Sequence, residues 1–197
     1  MDNEETAGVA YGRLSGEFLR SYVVPEIDAV RFAKYAAEAG THPADDTLSA
    51  GEWYGKVSAA WTELTENEVP EVDRHLFITA KGYEDIMNKS LTDSKVFFDM
   101  FASVTVVPQS RFYESVTLAA DGNGGYARTS GANNINFMVI HKPAVIQTLK
   151  HQDVKVITPQ ANQTADAWKF GYRVYGLNEV YENKVKGIYL HTSEVTA

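Results

Sequence analysis

Apolar positions early in the chain recur at helical spacing. Leu14, Phe18, Tyr22 and Val23 fall on one side of a helix, and the pattern resumes with Ile27, Val30, Lys34 and Ala37 before Gly40 supplies a stop. Pro25 lies between the halves and predicts a bend, because an interior proline removes a backbone hydrogen bond. After a polar connector over residues 41–50, Ser49 and Glu52 match a capping box ahead of a second amphipathic helix. Trp53, Val57, Ala60, Trp61 and Leu64 mark that helix, which ends before Pro70. The run Leu76-Phe77-Ile78 predicts a short buried strand over 74–79. Thr79 then caps a third helix to about Asn88, carrying Tyr83, Ile86 and Met87.

From residue 96 the pattern turns to β. Val104, Val106 and Val107 lead to Pro108, and residues 112–119 alternate weakly. Residues 121–125 and 130–134 are rich in glycine and asparagine and predict a surface loop. Ile135 to His141 forms a buried strand, Pro143 opens a short helix, and Val154, Val156 and Ile157 form another strand. Trp168, Phe170, Tyr172 and Val174 alternate with polar or small residues, the period of a half-buried strand. A turn at Glu182-Asn183-Lys184 then leads into Val185–His191, and the two runs together predict an antiparallel hairpin. Helices early and strands late define an α+β fold.

The 197 residues suffice for one domain or two small lobes, and 44% hydrophobic content fits a packed core rather than disorder. No apolar run approaches the roughly 18 residues of a membrane-spanning helix. Cysteine is absent, which removes disulfides and thiolate chemistry. A net charge of −8 argues against sequence-specific nucleic-acid binding, because an acidic surface repels phosphates.

Motifs for catalysis are sparse. Gly122-Asn123-Gly124-Gly125-Tyr126-Ala127 matches a loose GxGxxA, but neither a βαβ unit nor a prompt helix start surrounds it. The five histidines show no helical i, i+4 pair; His141 and His151, ten residues apart across a short helix, are the two that can converge, and partly exposed histidines bonded to backbone are the preferred reading. No cofactor is expected. The aromatic residues crowd the C-terminal region instead. Trp168 and Phe170 read as core, while Tyr175, Tyr181 and Tyr189 are candidate inter-subunit contacts.

Three stretches carry a family resemblance. They are Gly12–Arg20 with Val24–Ala33, Val107–Tyr113, and the C-terminal run from Ile135–Gln147 through Lys155–Gln160 and Ala165–Tyr175 to Tyr181–Tyr189. In this order they resemble the major capsid proteins of tailed phages, with the HK97-like fold. The resemblance implies a non-enzymatic subunit of a bacteriophage or prophage icosahedral head, built in the bacterial host cytoplasm. Its partners would be copies of itself in pentamers and hexamers, with scaffold and portal proteins. Residues 1–47 and 152–197 would form a peripheral P-domain, with spine helix and sheet, and 48–151 an inserted A-domain. Gly122, Asn123, Gly124 and Gly125 would lie in an A-domain loop at the capsomer axis. The family's N-terminal arm and E-loop precede the spine helix, and this chain begins almost at that helix. A shortened form, monomeric or weakly associating when isolated, is therefore expected. Alternatives are an encapsulin-like shell protein, a metal-dependent enzyme using His141 and His151, and an aromatic-rich binding module.

Overall fold

The computed structural model describes residues 12–43, 46–89, 91–119, 125–165 and 168–193. Residues 12–18 are helical and run through a π-helical turn, Leu19–Val23, into α1, Val24–Ala37. This π-turn stands just ahead of Pro25, where the sequence predicts a bend. Its wide loop closes with Val24 N–H on the Leu19 carbonyl and places Pro25 in the first turn of α1, where a missing N–H costs least.

The rest of the chain continues with α2 (Trp53–Glu66), β1 (Arg74–Thr79), α3 (Ala80–Lys89), α4 (Leu91–Phe98) and β2 (Ser103–Val107). Then come β3 (Val116–Leu118), β4 (Tyr126–Arg128), β5 (Asn134–His141), β6 (Val145–Ile157), β7 (Lys169–Val180) and β8 (Ile188–Ser193). Half of the capping box forms, with Ser49 N–H donating to Glu52 Oε2 at 2.7 Å. Thr79 caps α3 by accepting from Gly82 N–H at 3.4 Å. The eight-residue α4 had no counterpart in the sequence pattern.

A four-stranded sheet in the order β2-β1-β5-β8 forms the centre. Both its faces are covered. Leu76, Ile78, Phe137, Val139 and Tyr189 point to α2, α3 and α4, where they meet Val57, Leu64, Ile86 and Phe97. Met138, Ile140, Ile188 and Leu190 point to α1. There Phe32 sits edge-on to Phe77 at 5.3 Å and Phe112 at 4.8 Å, the offset geometry aromatic rings prefer. A register shift between Ile135 and Phe137 turns Ile135 to the α1 side as well. The buried stripe of α1 is Pro25, Ala29, Phe32, Tyr35 and Ala36. It replaces the expected face of Ile27, Val30, Lys34 and Ala37, because the helix is oriented by Phe32 entering this aromatic cluster.

Of two expectations for the last third, one holds in reduced form and one fails. The short helix at Pro143 is a three-residue 3-10 helix, Lys142–Ala144, with proline at its start, and β6 begins at once. The strands around 168–174 and 185–191 are not partners: β7 pairs antiparallel with β6, and β8 pairs antiparallel with β5. The 3-10 segment Glu182–Gly187 redirects the chain from the β6–β7 ribbon into the central sheet. The expected domain limit at 152 falls within β6, and β8 belongs to the sheet built mostly from residues 74–141.

Candidate assembly surfaces

The β6–β7 ribbon runs from the pair Val145↔Val180 to Ile157↔Lys169, about 40 Å at ~3.3 Å per residue. Its near end is tied to α1. Arg31 Nε donates to Asn178 Oδ1 at 3.0 Å, and Lys34 Nζ lies 3.0 Å from Glu179. The pairing places Gly176, Val174 and Tyr172 on one face with Val145, Gln147, Leu149 and Val156; Leu177, Tyr175 and Arg173 lie on the other. Large apolar side chains stand exposed on both faces: Leu149 and Val156 on one, Leu177 and Tyr175 on the other. This is a two-sided strand pair that the rest of the subunit leaves partly open.

Tyr175 is 61% exposed and Tyr181 45% exposed, so both rings are available to a partner. Tyr189 is not. It is buried and stacks on Phe137 at 6.0 Å between parallel rings, inside the core under the helices. β8 is covered on both faces, so alternate residues of its apolar run point into opposite cores and neither reaches the surface. Trp168, read from sequence as core, is half exposed at the far end of the ribbon. The side chain of Phe170 lies outside the described residues.

A second open apolar surface lies on the helical segment preceding α1. Leu14, Phe18 and Tyr22 follow one another at four-residue spacing, and all three are exposed. Phe18 and Tyr22 stack with ring centroids 5.7 Å apart. The periodicity of this stripe was legible; its exposure was not. β2 forms the open edge of the central sheet, with Val106 exposed, whereas β8 is flanked by Thr41, which exchanges hydrogen bonds with it.

Of the loop expected at a capsomer axis, Gly122, Asn123 and Gly124 lie outside the described residues. Gly125 lies beside α1, its N–H donating to Glu26 Oε2 at 2.6 Å and its φ of +110° demanding glycine. The β3–β4 stem is therefore fastened to α1.

Among the described residues no group of three metal-ligating side chains occurs. His141 packs against Gly187, and burial, reinforced by the Arg74 charge, lowers its pKa below the usual imidazole value. The side chain of His151 lies outside the described residues. His42 pairs with the Thr192 hydroxyl, His75 with Ser103, and the buried His191 with Asn136. Each is the behaviour of a structural histidine.

Two covered sheet faces, a long leading helix and a two-stranded ribbon constitute an α+β fold, and the likeness of that fold is to solved phage structures. The chain is similar to a solved chain of Mycobacterium phage Che8, with TM-score 0.58 and 16% identity over 92% of this chain and 62% of that one. It is also similar to a chain in the capsid structure of the cyanophage P-SCSP1u, with TM-score 0.57 and 15% identity over 100% of this chain and 67% of that one. No family model and no curated protein matches it. The chain thus spans about 62% of the length of the Che8 chain.

Proposed function

We propose that this chain is a structural subunit of a bacteriophage or prophage icosahedral head, a major capsid protein of the HK97-like fold. The observation that carries the reading is the likeness to a phage-capsid chain over the whole of this chain. The exposed apolar positions add a physical reason. Leu14, Phe18 and Tyr22 on one element, and Leu149, Tyr175 and Leu177 on another, are what interlocking copies would cover. The mechanism is geometric: identical subunits bury complementary edges about rotation axes until a container closes.

In this reading the helix over residues 12–37 and the β6–β7 ribbon form the P-domain. The central sheet with α2, α3 and α4 forms the A-domain, which moves residues 145–151 and 188–193 across the limits set by sequence. Tyr175 and Tyr181 are inter-subunit contacts, and pentamers and hexamers of the chain, with scaffold and portal proteins, are its partners. The virion head is its location.

Mass spectrometry of density-purified particles from induced cells of the source organism tests the reading. Peptides of this chain dominating the particle fraction are expected. A particle fraction free of them, with the protein confined to the soluble fraction, overturns it. An encapsulin-like shell is separated by the particle contents: packaged DNA supports a phage head, and a packaged enzyme the compartment.

A further inference from the structure

The register of the β6–β7 ribbon sorts its charges onto one side. Residues paired across the ribbon share a face, so Asp153, Lys155, Lys169 and Arg173 stand on the face of Tyr175 and Leu177. The opposite face, with Leu149 and Val156, holds no charged residue. Lys155 is paired with Gly171, whose missing side chain leaves it no neighbour directly across. Lys169 and Arg173 are its diagonal neighbours, about 7–8 Å away. All three cations are exposed. None is paired with a carboxylate among the described residues, although Asp153 lies across from Arg173. Glu179, the other acid on this face, is held by Lys34 at the ribbon base. Like charges at this spacing repel, and nothing in the subunit offsets them.

The opposite charge is concentrated elsewhere. Glu63, Glu66, Glu68, Glu71 and Asp73 follow one another with no lysine or arginine between them. All five are exposed, and none forms an ion pair among the described residues. Glu63 and Glu66 occupy the last turn of α2, where the helix dipole disfavours an anion and no basic residue answers it. Lys184 and Lys186 border the same pocket as Glu68 and Asp73 without bonding to them. Lys184 is turned instead to the Pro143 carbonyl and the Tyr181 ring.

We infer that the cationic face of the ribbon docks on the acidic segment 63–73 of a second copy of this chain. Charge complementarity carries the choice of partner, since each patch supplies the counter-charge the other lacks. Each also has apolar side chains for a partner to cover: Tyr175 and Leu177 beside the cations, and Val72, 73% exposed, among the acids. Duplex nucleic acid fits this face less well, because Asp153 stands among the cations and would meet phosphates. The contact joins two different surfaces of one chain and is therefore heterologous. It requires only a second copy and is independent of the phage-head reading.

The test is zero-length carbodiimide crosslinking of the full chain at low ionic strength, with 14N and 15N preparations mixed in equal amounts. Peptides joining Lys155 or Lys169 to the carboxylates of 63–73 should include species with one label of each kind, and about 0.5 M sodium chloride should suppress them. Glu63→Lys, Glu66→Lys and Glu68→Lys together should lower the mixed-label crosslinks to Glu71 and Asp73 about tenfold. Mixing that variant with a copy carrying Lys155→Glu, Lys169→Glu and Arg173→Glu should restore crosslinks between the two reversed patches. Crosslinks with a single label only, none at these sites, or crosslinks that persist in salt or in the acid-reversed variant overturn the inference. So does a reversed pair that restores nothing, or duplex DNA that shields Lys155 and Lys169 from an amine reagent where no mixed-label crosslink forms.

Discussion

Arg74 is fully buried, and no carboxylate pairs with it among the described residues. Its guanidinium is held by neutral acceptors. Nε donates to the Pro70 carbonyl at 2.9 Å, Nη1 to the Trp61 carbonyl at 3.1 Å and to Thr65 Oγ1 at 3.0 Å, and Nη2 to the Val69 carbonyl. The group also lies 4.3 Å above the Trp61 ring. It thereby fastens the connector between α2 and β1, in which Glu68 and Asp73 both carry a φ of +60°. Arg74→Met keeps the volume and removes every bond. The Trp61 carbonyl retains the Thr65 hydroxyl, but the Val69 and Pro70 carbonyls lose their donor. Two orphaned carbonyls cost roughly 2–6 kcal/mol, and the lost cation–π contact adds up to about 2. Methionine recovers part of this by removing a buried charge, whose desolvation costs several kcal/mol. The expected net loss is about 3 kcal/mol, or ~6–12 °C in Tm for a domain of this size. Urea and thermal unfolding measure it, and limited proteolysis should show cleavage within residues 67–73 before global unfolding. Arg74→Met within about 0.5 kcal/mol of the parent, with that connector still protected, would refute the argument.

Gly82→Ala should destabilise the protein by about 1–3 kcal/mol and alter Trp53 fluorescence. The new methyl meets the indole, and the gain of ~1 kcal/mol in helix propensity does not offset it. Replacing Leu14, Phe18 and Tyr22 together by serine should change unfolding stability by no more than about 0.5 kcal/mol each while abolishing particle formation; unimpaired particles would remove this stripe from the assembly reading. His141 has a folded pKa depressed by burial, so the unfolded chain binds its proton more readily. Stability should be complete above the unfolded value of about 6.5 and decline as pH falls below it, and His141→Gln should flatten that part of a stability–pH profile. Hydrogen exchange of the isolated subunit should be slow in β6–β7 near Val145 and Val180, where α1 clamps the ribbon, and fast near Val156 and Lys169.

Most elements were legible because they are local. The spacing Trp53, Val57, Ala60, Leu64 is contained within a few turns of chain and the structure uses it as read, while the capping box at Ser49 and Glu52 forms by half. What failed was non-local. The apolar runs on either side of Glu182–Gly187 look like a hairpin, yet each pairs with an earlier strand, since alternation states which residues are covered but not by which partner. The position of Tyr189 had a signal that went unused: Ile188, Tyr189 and Leu190 are consecutive apolar residues, the mark of a strand covered on both faces. The pocket lined by Trp53, Thr79, Asn136 and Ser193 had none, because its walls come together only when β5 lies between β1 and β8.

The ribbon and the leading helix raise the same physical question, since neither is explained by the subunit alone. An isolated two-stranded hairpin is marginally stable in water, and among the described residues this one is tied to α1 at its base. Its far part still alternates as a half-buried strand does, with Tyr172 and Val174 partly covered between exposed Gly171, Arg173 and Tyr175. A strand pair of that length with Leu149, Val156, Tyr175 and Leu177 in water is an edge-pairing hazard unless something covers it. Leu14, Phe18 and Tyr22 present a comparable stripe on a helix instead of a sheet. Under the proposed capsid reading, two unlike exposed apolar surfaces on one subunit suit heterologous contacts around an axis, where each surface meets a different neighbour.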